Sequence, residues 1–322
     1  MNNKKPTRRA AKPGERKPGA RISPRTTGQA KPMPADTPAH TITTNKDDGH
    51  QTGLGERIQK ILARGGIGSR REIERWMAEG RVKVNGVNAT PGIRLKTGDY
   101  LQINDRPVHW EKFSGQSTRV LLYHKPTGEV VTRRDPQGRP IIFSHLPELT
   151  TARWIAVGRL DINTSGLLLV TNNGELANRL MHPSTQIERE YAVRILGHVS
   201  DATLEKLKQG VELEDGKAKF DDIRFSGGEG ANKWYYVTVS EGRNRLVRRL
   251  WEAQDVVVSR LIRVRYGPAV LPEFVRATSH YELTDKELDT LFEFVGMSRE
   301  KHDSLTNKAE KPGSKSAATR KG

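Results

Sequence analysis

Residues 158–172 read Gly158-Arg159-Leu160-Asp161-Ile162-Asn163-Thr164-Ser165-Gly166-Leu167-Leu168-Leu169-Val170-Thr171-Asn172. A tight polar loop carrying one acid runs straight into four consecutive apolar residues. An apolar run that short, bounded by turn residues, reads as a strand buried in a sheet. The chain must therefore cover that strand and bring Asp161 to its lip. A lone carboxylate there, two residues after Arg159, is badly placed as a surface charge. It is well placed as a nucleophile or base.

The 322 residues suffice for one large or two modest domains, and the formal charge of +17 points to a polyanionic partner. The charge is concentrated at the ends. Residues 1–53 hold eleven Lys/Arg against four Asp/Glu, and residues 297–322 hold seven against three. The first 53 residues contain no Leu, Val or aromatic side chain but seven of the seventeen prolines. Such a segment cannot bury enough apolar area to offset its ordering entropy, so both ends are expected to be disordered basic tails. They would either solubilise the protein or gather along phosphates by counterion release. The absence of cysteine excludes disulfides, thiolate metal sites and a cysteine nucleophile. No apolar run is long enough to span a membrane, and the basic N-terminus lacks the apolar core of a secretory signal. A cytoplasmic protein with no membrane partner is expected. Nothing suggests more than a monomer.

Residues 54–110 read as a small basic module. Ile58, Ile61 and Leu62 form an apolar stripe on a helix from Glu56 to Arg64, ended by Gly65-Gly66. Ser69-Arg70-Arg71-Glu72 fits a capping box opening a second helix through Glu79. Arg81 to Val84 alternates as a strand before the tight-turn pair Asn85-Gly86, with more strand at Ile93–Leu95 and Tyr100–Ile103. Eight cations fall within 27 residues: Arg57, Lys60, Arg64, Arg70, Arg71, Arg75, Arg81 and Lys83. Any one reads as a solvated helix-face charge; together they make an electrostatic RNA footprint. The module resembles the small RNA-binding domain first described in ribosomal protein S-four. Residues 111–118 read as a linker.

Residues 119–296 alternate short strands with a few helices. Val120–Tyr123 is a strand stopping at Lys125-Pro126, and 127–140 reads as a mobile loop. Asn172-Asn173-Gly174-Glu175 can cap a helix carrying Leu176, Leu180 and Met181 on one face. Glu190–Ile195, Trp234–Val239 and Val256–Val264 read as strands, and Ser200–Gln209 and Arg245–Ala253 as helices. Thr284-Asp285-Lys286-Glu287 is a second capping box. Strands outnumber helices and join mostly by hairpins, which predicts an α+β domain on a mixed, mainly antiparallel sheet.

Three segments carry the chemistry: the Asp161 loop, Glu188-Arg189-Glu190-Tyr191-Ala192-Val193, and Ser240-Glu241-Gly242-Arg243-Asn244-Arg245-Leu246-Val247-Arg248-Arg249-Leu250. In order and spacing they resemble the motifs of the bacterial ribosomal-RNA pseudouridine synthases that carry a leading S-four-like domain. The resemblance spans essentially all of residues 54–296. It implies isomerisation of a uridine in ribosomal RNA, most closely of the large subunit or its precursor particle, without a cofactor. The sequence agrees, holding no dinucleotide glycine loop, P-loop or metal-spaced His/Cys set.

The resemblance gives Asp161 the role of reacting carboxylate. It gives Arg248 the role of its paired cation, needed because desolvation drives an unpaired carboxylate toward its neutral form. It places Tyr191 against the target base and Leu261 at the pocket's apolar wall. Arg159 stands where related enzymes help extrude the base. Arg249 is a phosphate-contact candidate, as are Arg57, Lys60, Arg70, Arg71, Arg75 and Arg81 in the small module. Leu246 departs from the family, whose members usually carry a polar or charged residue there. Asp221-Asp222 reads as surface, without a cation nearby in sequence. Two rivals stand: a non-catalytic RNA-binding or ribosome-assembly factor, and a metal-dependent nuclease. The nuclease requires clustered carboxylates, and residues 151–172 offer one.

Overall fold

The computed structural model describes residues 55–299. The chain divides into Met1–Gln51 and Thr52–Gly322, and every described residue belongs to the second unit. The tail expected over 1–53, and that over 297–322 beyond residue 299, lie outside the described residues.

The small module has its own core. Strand β1 (Glu56–Arg57) precedes helices α1 (Ile58–Arg64) and α2 (Arg70–Ala78). Strands β2 (Val82–Val84), β3 (Val87–Asn88), β4 (Arg94–Leu95), β5 (Leu101–Ile103) and β6 (Arg106–Val108) follow. Glu56 and Arg57 were expected to be helical. They pair instead with β4, because the chain enters along its edge and Ile58 N–H donates to Ile93 O at 3.2 Å. The Ser69–Glu72 capping box forms with both of its hydrogen bonds. Asn85 and Gly86 both take positive φ, 53° and 82°, as a two-residue hairpin between β2 and β3 requires. A second such hairpin at Asn104-Asp105 adds β6, an unexpected strand, at the edge of the sheet order β3-β2-β5-β6. An edge strand tolerates Pro107. Ile58, Ile61, Leu62, Ile73, Met77 and Val82 centre the core. The expected linker is partly structured: Trp110–Phe113 forms a 3-10 helix, with Trp110 buried in the small core and Phe113 against it.

The larger body is built on strands β7 (Val120–Lys125), β8 (Ile155–Ala156), β9 (Ser165–Thr171), β10 (Arg189–Leu196), β11 (Asp222–Gly227), β12 (Asn232–Val239), β13 (Val257–Tyr266), β14 (Ala269–Val270) and β15 (His280–Glu282). Helices α3 (Gly174–Met181), α4 (Asp201–Gln209), α5 (Leu246–Glu252) and α6 (Asp285–Phe294) cover it. The main sheet runs β11-β12-β10-β13-β9-β7-β15, with β8 on β9 and β14 on β13. All described pairs in it are antiparallel except β9 with β13. The expected mixed, mainly antiparallel α+β architecture is the one present.

β9 is an interior strand, between β13 and β7, and is buried along all seven residues. Leu167 and Leu169 face α3 and α6, while Leu168 and Val170 face Tyr123, Trp154 and Leu160. Burial on both faces explains why the strand reads as a continuous apolar run rather than an alternating one. Each such side chain contributes about 1.5–3 kcal/mol. Segment 127–140 is more than the loop expected. Glu129 is buried, and Val130 bridges to Ile141 before a 3-10 turn at Ile142–His145. Met181, expected on the core face of α3, is exposed, because the helix buries Leu176, Ala177 and Leu180 instead. Asp222 has a cation two residues on, Arg224, at 3.1 Å. No described helix is long and apolar enough to cross a membrane.

Candidate active site

Asp161 lies on a turn entering β9 whose shape is set by its neighbours. Gly158 takes a left-handed φ of 76°, and Leu160 is buried in the core below. Thr164 N–H donates to Asp161 O at 3.0 Å, closing the turn. The turn opens on a cleft of about 390 Å³ lined by Arg159, Asp161, Thr164, Arg189, Tyr191, Leu261, Arg263 and the segment Glu241–Val247. Tyr191 on β10 and Leu261 on β13 therefore share a cavity with the acid. Leu261 is also core, packed near Val193 and Trp251. Leu246 is likewise buried in that core while reaching the cleft wall, which accounts for an apolar residue at this position.

The Asp161 carboxylate makes no hydrogen bond or ion pair with any described residue. This corrects the expected Asp161–Arg248 pair. Arg248 is buried, its Nη1 donating to Val258 O at 3.0 Å and its Nη2 to Asn163 O at 2.9 Å. Both terminal nitrogens of the guanidinium thus donate to main-chain carbonyls, its Nε is buried without a partner, and it ties the acid turn to β13 from below. Burial, and Arg245 nearby, pull its pKa down; the charges of Asp161 and Glu252 oppose that shift. Asp161 and Arg248 interact through space without touching.

A second cation, which the sequence reading passed over, grips the same turn. Lys125, at the end of β7, is completely buried. Its ammonium donates to Pro126 O at 2.8 Å, Thr164 O at 2.9 Å and Asp161 O at 3.1 Å. Burial lowers its pKa to about 8, opposed by the charges of Glu129 and Asp161. Glu129 accepts from Tyr123 Oη at 2.7 Å and lies 3.1 Å from His145 Nδ1. The missed signal is parity: Leu121, Tyr123 and Lys125 alternate on one face, so Lys125 continues a buried stripe.

Cations outnumber acids around the cleft, with Arg159, Arg189, Arg243, Arg245 and Arg263 against Asp161 and Glu241. Arg159 is exposed and unpaired among the described residues. Arg243 donates to Gly216 O at 2.9 Å and Lys217 O at 2.8 Å, fastening the rim to the 215–217 turn. Arg249 does not line the cleft; it is held by Asp215, the Nη1 bond being 3.0 Å. In the small module Arg75 and Arg81 pair with Glu79, and Lys60 pairs with Glu56 at 3.0 Å. Arg57, Arg70 and Arg71 make no ion pair among the described residues. Lys60, Arg64 and Arg70 also line a smaller cavity of about 230 Å³ with Arg153 and the start of α3. Among the described residues no group of three or more His, Asp or Glu could hold a metal ion.

A family model described as RNA pseudouridylate synthase matches residues 119–253, and an S4 domain model matches residues 56–100. Ribosomal large subunit pseudouridine synthase B of Pseudomonas aeruginosa is 54% identical over 257 residues, covering 80% of this chain and 67% of that protein. The protein of the same name from Escherichia coli is 54% identical over 250 residues, covering 75% of this chain and 84% of that one. A crystal structure of pseudouridylate synthase aligns with a TM-score of 0.51 at 24% identity, over 73% of this chain and 99% of that chain. That last likeness concerns the fold.

Proposed function

The chain belongs to the RNA pseudouridylate synthase family, and from that premise we propose that it isomerises one uridine of large-subunit ribosomal RNA to pseudouridine. The N1–C1′ glycosidic bond breaks, the base turns, and a C5–C1′ bond forms. C5 loses a proton and N1 gains one, so the reaction is redox neutral.

The observation that carries this reading is the unpartnered Asp161 carboxylate at the mouth of a cleft walled by Tyr191 and Leu261. Its turn is held from beneath through main-chain carbonyls, by Lys125 and Arg248. A carboxylate fixed through its backbone keeps its oxygens available to the substrate. Arg248 supplies positive charge close to the turn without occupying those oxygens. Tyr191 lies against the base, and Leu261 closes the apolar wall. The reacting atoms are out of reach inside a helix, so the nucleotide must be unpaired or flipped, at a cost of about a few kcal/mol. Arg159, exposed at the rim, helps draw it out. Phosphate contacts from Arg57, Arg70 and Arg71 of the small module offset that cost. The enzyme works as a monomer in the cytoplasm, where ribosomal RNA and its precursors are found.

The test is carbodiimide-probed primer extension on ribosomal RNA treated with purified protein, beside Asp161→Asn. A new stop at one uridine, absent with the mutant while RNA affinity stays nearly intact, is the expected result. Equal turnover by the mutant would remove Asp161 from the chemistry. No stop on free RNA or on precursor particles would favour a non-catalytic RNA-binding factor.

A further inference from the structure

The cleft contains a buried cation that the chemistry above leaves idle. Arg263 is 3% exposed. It stands on β13 opposite Tyr191 and beside Gly166 of β9. Its Nε donates to Leu167 O at 2.7 Å, and its guanidinium lies 5.0 Å from the centre of the Tyr266 ring. Its Nη2 is buried with no hydrogen-bond partner, and no carboxylate pairs with it among the described residues. A guanidinium withdrawn from water and left with an unmatched donor is unfavourable unless another group completes it. Thr164, 2% exposed on the same cleft wall, also has a buried hydroxyl without a partner.

The depth of Arg263 selects which part of an RNA can reach it. Backbone phosphates stay at the rim, where Arg159 and Arg245 are exposed. Only a base can descend to a side chain this buried. Uracil presents two carbonyl oxygens, both acceptors. When the N1–C1′ bond breaks, its electron pair stays with the ring and spreads onto those oxygens. The ring must then turn before C5 meets C1′.

Building on the synthase reading, we propose that Arg263 is a catalytic residue that binds a carbonyl oxygen of the target uracil and stabilises the negative charge the ring carries while detached. The planar guanidinium is fixed by Leu167 O and Tyr266, so its free edge meets the ring in a set orientation. The interaction strengthens as the bond breaks, which is what accelerates the step rather than merely tightening binding.

The experiment uses the full chain, comparing wild type with Arg263→Gln and Arg263→Lys. Pseudouridine formation, RNA affinity across a salt series and thermal unfolding are measured together. Arg263→Gln is expected to lose about 10²–10³-fold in kcat, as for removal of one oxyanion donor, with RNA affinity and its salt slope unchanged. Arg263→Lys, keeping charge but not the fork, should fall between. Variants that unfold cooperatively and turn over at the wild-type rate overturn the proposal. So does an affinity loss with a salt slope smaller by about one, the mark of a phosphate contact. Should Arg263→Gln fail to fold, wild type itself decides. Barbiturate, a pyrimidine that is anionic at neutral pH, should inhibit far better than neutral uracil, and equal inhibition overturns the proposal. Wild-type turnover in the same assay tests the synthase reading separately.

Discussion

Lys125 serves three main-chain carbonyls with one ammonium group, and this makes the active-site turn sensitive to pH. An ammonium has three donors and a neutral amine has two. With a pKa near 8, raising the pH through that value leaves one carbonyl of the turn unmatched. Glu129 and Asp161 face the ammonium, and Tyr123 and His145 hold Glu129. Turnover is expected to fall above about pH 8. Stability behaves oppositely. Below 8 the folded and unfolded chains both hold the proton. Between about 8 and the ordinary lysine value of 10.5 the unfolded chain binds more, so this group's contribution to stability rises with pH there. A kcat profile and unfolding midpoints in the same buffers check both signs; parallel decline would mean that general unfolding, not Lys125, limits activity. Lys125→Met should flatten the activity profile near pH 8 and cost at least about 1–3 kcal/mol, the penalty for a buried carbonyl left without a donor.

The parallel contact of β9 with β13 depends on Gly166. Its φ is 105°, and a Cβ there would lie 2.3 Å from Arg263 O and 2.6 Å from Arg263 N. Both obstacles are backbone, so neither can rotate away. Gly166→Ala should destabilise the protein by at least about 1–3 kcal/mol in urea unfolding, by strain alone. It should also lower kcat, since it pushes β13 from the acid turn; Gly216→Ala, with open space around it but a φ of 101°, isolates the strain from the clash. Elements announced by local chemistry were legible in the sequence: the doubly buried β9, the capping boxes at Ser69 and Thr284, a helix cap within Asn172–Glu175 and the Asn85-Gly86 hairpin. β11 was not, because its only buried hydrophobic residue is Ile223, while Phe225 is 60% exposed. β1, β14 and β15 are too short for a period to show, existing by virtue of their partners. At the site, Asp161, Tyr191 and Leu261 could be read as sharing a pocket. The parts of Lys125, Arg248 and Arg263 could not, since each is defined by which carbonyls the fold brings to it.

Across the whole molecule the charge of +17 divides into contributions that can be separated by experiment. The first 53 residues carry a net +7. In the small module, Arg57, Arg70 and Arg71 make no ion pair among the described residues, whereas Arg75 and Arg81 both pair with Glu79 and Lys60 pairs with Glu56. An unpaired cation can take up a phosphate without first breaking an ion pair, so these two groups should dominate binding. Each phosphate neutralised adds roughly 0.7 to the slope of log affinity against log salt on single strands, or roughly 0.9 on duplex. Deleting residues 1–53 should weaken binding most at low salt and shrink that slope while leaving kcat at saturating RNA unchanged. Replacing Arg57, Arg70 and Arg71 together by Ser should shrink it by roughly two to three, if each meets one phosphate. Replacing Arg75 and Arg81 should change it little. The losses should add, because the two sets of charges meet different phosphates. A filter-binding titration of the four proteins from low to physiological salt decides the matter. A tail deletion that leaves low-salt affinity intact would assign the tail to solubility alone. A slope as sensitive to Arg75 and Arg81 as to Arg57, Arg70 and Arg71 would show that ion pairing in the free protein does not select the RNA contacts.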